Sequence, residues 1–374
     1  MSSSARHDCL VVGAGVIGLA IAEALARGGA KVRVLERSAS CGQGASGAAA
    51  GMLAGGAEAT AADPFQELCQ ASRQLWPAWA ADLEKTSGRD CELELSGLLR
   101  VTGAQEMALE LERISQWQRE HGVEVSGLLD QTQLAQLVPG LGPLVLAGVH
   151  YRRDGHVHTH RVTDALVTAC RRRGVIIEME TEVTEIEIHA GRPRLTVNGG
   201  RQIEADYVVV CAGSWSGAIL SPGTARDVVE PIRGQMVALD PGRQLLPMIV
   251  FGDHGYVLQK RSGLVLTGAT EERVGYQPWP TAEGVSQLMS AAADIMPELG
   301  QARFASAWAG LRPHARDGWP LLGRTEAEGR LLLATGHYRN GILLAPVTAA
   351  LIARAVLEGA DPPELAPFSP GRLA

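Results

Sequence analysis

The chain lacks an excess of positive charge. Across 374 residues, 34 Lys and Arg stand against 41 Asp and Glu, a formal net charge of −7. Phosphate backbones demand a basic face, so no nucleic-acid partner is expected. A small anionic substrate stays open, because one or two local arginines hold a carboxylate whatever the global balance. Paired cysteines are lacking too: Cys9, Cys41, Cys69, Cys91, Cys170 and Cys211 are scattered, with no CxxC spacing. That speaks against zinc and thioredoxin-like chemistry, so no metal site is expected, and the thiols read as reduced core residues of a cytoplasmic protein. No apolar signal segment follows Met1. The longest small apolar tract, Ala45 to Gly56, is too short and too rich in Ala and Gly to span a bilayer, so no membrane partner is expected. There are no repeats and no low-complexity linker.

What is present has size and order. A 374-residue chain that is 46 % hydrophobic supports two structural units. Cys9-Leu10-Val11-Val12 is a continuous apolar run, as a strand buried on both faces should be. Gly13-Ala14-Gly15-Val16-Ile17-Gly18 follows, then an Ala/Leu-rich helix to about Arg27 and a second strand, Lys31 to Glu36. In this strand–turn–helix setting the three glycines read as a dinucleotide fingerprint. Gly13 permits the tight turn, Gly15 lets backbone approach a pyrophosphate, and Gly18 allows close helix–strand packing. The helix start at Val16 and Ile17 offers N–H groups and the positive end of a dipole. Glu36, with Arg37 beside it, stands where a ribose-binding acid is expected. An acid there favours a free 2′-hydroxyl, hence FAD or NAD rather than NADP.

Beyond the fingerprint, Ala45 to Gly56 reads as a backbone-dense loop close to a ligand. A helix is expected from Asp63 towards Ser87, with Pro64 at its first position, Gln66 as capping-box partner and a kink at Pro77. Further helices fit Ala104 to His121, a short stretch between Thr132 and Pro139, and about Val162 to Arg173. The pattern then turns to β, a meander from about Val175 to Val197 with an Asn198-Gly199 turn, followed by a buried strand, Tyr207 to Cys211, ending at Ala212-Gly213. Tyr256–Gln259 and Leu264–Thr267 read as a hairpin. A helix fits Ala282 to Met296. The chain closes on a strand, Leu331 to Ala334, a Gly336–Gly341 turn and a helix from about Leu343 to Leu357. This order suggests a nucleotide-binding domain built from discontinuous pieces, with a second α+β domain inserted.

Five motifs, Gly13-x-Gly15-x-x-Gly18, Ser46-Gly47-Ala48-Ala49-Ala50-Gly51-Met52-Leu53, Pro231-Ile232-Arg233-Gly234-Gln235, Trp308-Ala309-Gly310-Leu311-Arg312-Pro313 and Gly336-His337-Tyr338-Arg339-Asn340-Gly341-Ile342-Leu343-Leu344-Ala345-Pro346, resemble the glycine oxidase branch of the D-amino-acid oxidase family. They cover the chain end to end in the right order. The resemblance implies an α/β plus α+β fold: an FAD-binding Rossmann-type, glutathione-reductase-like domain (1–88, 150–225 and 320–374) with an inserted antiparallel-sheet substrate domain (89–149 and 226–319). It implies FAD-dependent oxidation of glycine or a related small amine by hydride transfer from the alpha carbon, oxygen becoming hydrogen peroxide. It further implies a role in thiamine synthesis in some bacteria and a homo-oligomer, often a tetramer. Carried over by motif, Arg312 and Tyr256 hold the substrate carboxylate and Arg339 lies at the same pocket. The cofactor is lined by Ser46, Ala49, Ala50, Gly51 and Met52, by Val183, and by Ala212, Gly213 and Trp215. Arg312, Arg339, Asn340, Gly341, Ile342 and Leu343 complete its site, where a helix start favours a reduced, anionic flavin. In related sarcosine oxidases a late cysteine bonds the flavin. Here no cysteine follows Cys211, which implies non-covalent FAD.

Guanidinium suits this chemistry, because it gives a planar carboxylate two parallel N–H bonds. Arg312 precedes proline and is therefore expected to be extended. Two residues before Tyr256, His254 would share its sheet face; it is a candidate catalytic residue, read more as a pocket-wall or core histidine than as a base. Two departures from the family bear on the substrate: Ala315 stands where a threonine is usual, and Gln259-Lys260 where Pro-Arg is usual. They leave room for an N-substituted or larger amine. The rival readings are a D-amino-acid or imino-acid dehydrogenase of the same fold using a non-oxygen acceptor, an NAD-dependent dehydrogenase, and a non-catalytic flavin-binding module.

Overall fold

A computed structural model describes residues 8–59, 61–189, 191–220, 228–325 and 328–373. Met1 to His7, read above for a signal segment, and the domain boundary drawn at 225/226 lie outside the described residues.

The apolar runs build a six-stranded sheet in the order Leu321–Thr325, Glu328–Thr335, Tyr207–Val210, Asp8–Val12, Lys31–Leu35, Ile176–Glu178. All neighbours are parallel except the Leu321–Thr325 edge. Such strands must be covered on both faces. Four helices, Val16–Arg27, Pro64–Ser87, Thr159–Arg172 and Gly341–Glu358, pack together on one side. On the other lies a three-stranded antiparallel meander, Val183–His189, Arg192–Val197 and Gln202–Glu204. The expected meander began at Val175, but Ile176–Glu178 instead extends the central sheet beside Lys31–Leu35. Its Ile176-Ile177 run is too short to show a strand period, so its partner was not legible.

A second sheet of eight strands is mostly antiparallel and contains both the Arg312 and the Tyr256 strands. Its longest ladder pairs Val229–Asp240 with Arg303–Ala315, with Pro231 opposite Pro313. Arg303–Ala315 is an edge strand of this sheet, which tolerates the missing proline N–H. The hairpin of Gly255–Gln259 and Val265–Gly268 forms as expected, with Tyr256 opposite Gly268. Helix Ala282–Ile295 covers one face of this sheet. The other face, with Tyr256, Leu258 and Met236, meets Ala50 and Ala54.

Local capping differs from expectation at two helices. Asp63 caps Pro64–Ser87 by accepting from Gln66 N–H at 2.8 Å, but Gln66 Nε2 donates to Gly55 O at 3.0 Å instead of closing a capping box. That helix continues unbroken through Pro77. The short helix placed after Thr132 starts earlier, at Gln131, because Asp130 and Gln133 form a reciprocal capping box. Gly341–Glu358 is long and apolar enough to cross a membrane, yet it is mostly buried in the protein core against the helices beginning at Val16 and Pro64.

Candidate active site

Where the two sheets face each other lies a cavity of about 840 Å³. Its floor is the fingerprint: Gly13, Gly15, Val16 and Ile17 line it. The glycines there are steric necessities. Gly13 has φ +103°, and a Cβ on it would stand 2.6 Å from the Cys211 carbonyl oxygen. Gly18 does not line the cavity; a Cβ there would stand 2.0 Å from Gly13 O, so its smallness lets helix and turn touch. Ser46 Oγ accepts from Val16 N–H at 3.0 Å and ties the Ala45–Gly56 loop to the helix start.

One end of the cavity carries Glu36, Arg37 and Trp215. The Glu36 carboxylate accepts from Ala14 N–H at 2.7 Å and Ser38 N–H at 2.8 Å. Each oxygen keeps a lone pair for a ligand hydroxyl. Arg37 stacks over the Trp215 ring at 3.7 Å. Val183, Ala212 and Gly213 line the wall nearby.

The other end is polar at one spot and small elsewhere. Ala49, Ala50, Gly51 and Met52 form one wall, and Asn340, Gly341 and Ile342 another, where helix Gly341–Glu358 starts. Leu343, expected in the cofactor site, turns its side chain into the core. Its side chain is 1 % exposed, and its carbonyl accepts from Ser72 Oγ at 2.6 Å and Trp76 Nε1 at 2.9 Å. The helical period carries it past the cavity one residue after Ile342.

Arg312, Tyr256 and Arg339 all line this end. Arg312 Nη1 donates to Thr270 O at 3.0 Å, leaving the rest of its donor fork for a ligand. Burial pulls its pKa below the ordinary value, which Arg339 reinforces and Tyr256 opposes. Its guanidinium lies flat on Gly234, where a Cβ would come within 2.2 Å of both terminal nitrogens. The Tyr256 hydroxyl is buried, 3.3 Å from the Met236 sulfur, and burial pushes its pKa up to about 12. The phenol is therefore neutral and can donate. Arg339 faces Glu58 at 3.6 Å with 42 % of its side chain exposed. Burial works against its charge, but Glu58, Tyr338 and Glu271 outweigh that and raise its pKa.

His254 lines the cavity too, but not from the sheet face of Tyr256. It is exposed in the turn between Ile249–Gly252 and Gly255–Gln259, where strand alternation does not apply.

Glu58, Met236, Thr270 and Glu271 at this end stand in none of the sequence motifs, and Gly234 and Tyr338 stand in two of them without an expected role. Tyr338 has φ +48°, uncommon for a non-glycine residue. Burial and a hydrogen bond to Glu271 push its phenol up to about 12. In the Pro231–Gln235 motif Gly234 lines the cavity, while Arg233 and Gln235 act one step back from it. Arg233, 4 % exposed, pairs with Glu272, and Gln235 Nε2 donates to Glu272 Oε1 at 2.8 Å. This fastens the loop carrying Thr270, and Thr270 in turn holds Arg312. Among the described residues no cluster suits a metal ion.

The cavity fits a dinucleotide. An acid stands at one end, a helix start with no side chain on Gly13 or Gly15 in the middle, and a small-residue wall at the other end.

The FAD-dependent oxidoreductase family profile, DAO, matches residues 8–355. A bifunctional ThiO/ThiG protein from Synechocystis sp. is 35 % identical over 98 % of this chain, and the chain spans about half, 54 %, of that relative's length. The glycine oxidase of Bacillus licheniformis is 32 % identical, covering 94 % of this chain and 93 % of the relative. A crystal structure of glycine oxidase from Geobacillus kaustophilus superimposes with a TM-score of 0.91 at 34 % identity, covering 97 % of this chain and 98 % of that one. The fingerprint, the cavity it floors and these similarities agree: the chain belongs to the DAO family of FAD-dependent oxidoreductases.

Proposed function

We propose that this protein oxidises glycine or a related small, possibly N-substituted, amino acid, releasing an imine that hydrolyses and passing electrons to oxygen as hydrogen peroxide. The observation that carries this reading is a buried guanidinium and a buried neutral phenol, Arg312 and Tyr256, facing one cavity end whose wall is Ala49, Ala50 and Gly51. The names of the glycine oxidases it resembles support the amine substrate.

Non-covalently bound FAD supplies the two-electron acceptor. Glu36 would hold its ribose and the Gly13–Ile17 backbone its phosphates. Arg312 would grip the substrate carboxylate bidentately, and Tyr256 would exchange its weak contact with Met236 sulfur for a third hydrogen bond. A charged hydrogen bond outweighs one to a thioether. Anchoring at one end orients the alpha carbon, so these residues act by positioning rather than by moving a proton. Arg339 faces Glu58 and would shape the mouth of the pocket. The domain division given above, a cytoplasmic homo-oligomer and a place in thiamine synthesis belong to the same proposal, the last supported by the ThiO/ThiG likeness.

Aerobic turnover of glycine, sarcosine, D-alanine, D-proline and an N-alkylated glycine, with peroxide and released amine both measured, tests this reading. Peroxide stoichiometric with glycine or sarcosine consumed supports it. Turnover only with an added dye acceptor makes the protein a dehydrogenase of the same fold.

A further inference from the structure

Behind the small-residue wall stands a charged side chain that the proposed chemistry does not use. Lys260 directly follows the Tyr256 strand, Gly255–Gln259, and is only 6 % exposed. Its Nζ donates to Ala50 O at 2.7 Å and to Val157 O at 2.8 Å. His156 Nδ1 lies 3.4 Å away; burial and the Lys260 charge hold that imidazole down to about 3, so it is neutral, and with its proton on Nε2 it accepts the third ammonium N–H as a hydrogen bond. Its other nitrogen faces Glu94 at 3.8 Å.

The three partners come from parts of the chain far from Lys260. Ala50 is in the wall and lines the cavity, so the ammonium sits one carbonyl away from it. Between the two gripped carbonyls the backbones cross. Val157 N–H donates to Gly51 O at 2.9 Å, and a Cβ on Gly51, whose φ is +85°, would stand 2.2 Å from Val157 O. Neighbouring Arg261 pins the same hairpin tip to Asp90 and Glu94, both at 2.6 Å. On the strand, Leu258 and Tyr256 share one face, and Lys260 follows directly after its last residue, Gln259. Fixing Lys260 therefore fixes the height of Tyr256 against the wall.

We propose that Lys260 is a positioning residue: its ammonium clamps the Ala50–Met52 wall to the Tyr256 strand and places a positive charge directly behind the flavin site. This rests on the FAD reading above. A lysine this buried is costly to keep charged, while the two carbonyls it donates to favour the ammonium. Burial pulls its pKa down to about 7, against the pull of Glu92 and Glu94. His156 from Gly155–His156, His158 ahead of Thr159–Arg172, and Arg261 are the other titratable or charged groups around it. Two-electron reduction adds negative charge to the cavity and so favours the protonated lysine. Above about pH 7, reduction should then take up an extra proton, and the potential should fall more steeply with pH.

The experiment compares wild type, K260M and K260R as holoenzymes. It follows FAD dissociation by fluorescence and the two-electron potential from pH 6 to 9 with a reference dye, with far-UV circular dichroism of each apoprotein as the folding control. K260M leaves two carbonyls without their donor and should weaken FAD retention by about tenfold or more, with the break in slope gone. K260R keeps charge and donors, so it should retain FAD within a few-fold while also losing the break, because it stays protonated throughout. If K260M does not fold, the arginine variant decides alone. A break that persists in either variant, or K260M holding FAD as tightly as wild type, overturns the proposal. A wild-type protein that binds no FAD would instead sink the cofactor reading itself.

Discussion

Gly234→Ala should damage catalysis far more than folding. Gly234 sits in the Val229–Asp240 strand with no positive φ, so its backbone accepts alanine. The added Cβ would stand 2.2 Å from Arg312 Nη1 and Nη2 and 2.3 Å from Cζ. Non-bonded carbon contacts settle at about 3.5–4.0 Å, so the guanidinium must retreat by roughly 1.3 Å. It lies at the end of a flexible side chain and can do so without moving the sheet. The retreat breaks the 3.0 Å bond to Thr270 O and shifts the fork that aims the substrate. A misplacement of about 1 Å at a positioning group costs on the order of 10²-fold in rate. We therefore expect kcat/KM for the best amine to fall about 10²-fold. FAD content and the thermal midpoint should stay near wild type. The assay is peroxide release, paired with titration of a non-reactive carboxylate ligand against flavin absorbance, which should weaken in parallel. A variant within threefold of wild type in kcat/KM would refute the placement of Arg312 as the carboxylate anchor.

Other consequences are smaller in scope. Tyr256→Phe removes a hydroxyl that donates to the Met236 sulfur; stability should be unchanged while carboxylate-ligand affinity falls by about 1 kcal/mol, measured by the same titration. Gly13→Ala forces a Cβ to 2.6 Å from Cys211 O at φ +103°, so the protein should purify without flavin and fail to take it up on addition. Asp154, 1 % exposed, accepts from Gly56 and Ala57 N–H at 3.0 and 2.8 Å, and burial pushes its pKa up from 3.8 to about 6. A raised carboxyl binds its proton more readily folded than unfolded. Its contribution is therefore fully present below pH 3.8 and is lost as pH rises through about 6. The stability difference between wild type and D154N, from urea unfolding, should thus decline across that window; a difference that grows instead contradicts the assignment.

Much of the site was legible because it is built from local patterns. The fingerprint glycines are dictated by turn and packing geometry within a few residues, so Gly13, Gly15 and Gly18 could be read with their separate jobs. Strand alternation and a tight hairpin turn gave the Tyr256 strand and its partner. What escaped depends on contacts distant in sequence. Glu58 meets Arg339 from 281 residues away. Gly234 matters only because Arg312 lies across it. Ile176–Glu178 joined the central sheet instead of the meander, a choice made by the neighbouring strand. The Leu343 side chain is in the core because helical rotation carries it past the cavity one residue after Ile342. Strand alternation counted back from Tyr256 does not reach His254, which occupies a turn.

The central claim is that Arg312 and Tyr256 present a small amino acid to bound FAD, and anaerobic mixing tests it most directly. Purified protein is mixed without oxygen with glycine, sarcosine, D-alanine, D-proline and an N-alkylated glycine while flavin absorbance is followed. The account predicts rapid bleaching by at least one of them, slowed or abolished in Arg312→Met, with colour and peroxide returning on admission of air. Flavin that none of these amines bleaches, or bleaching that Arg312→Met leaves unchanged, would contradict it.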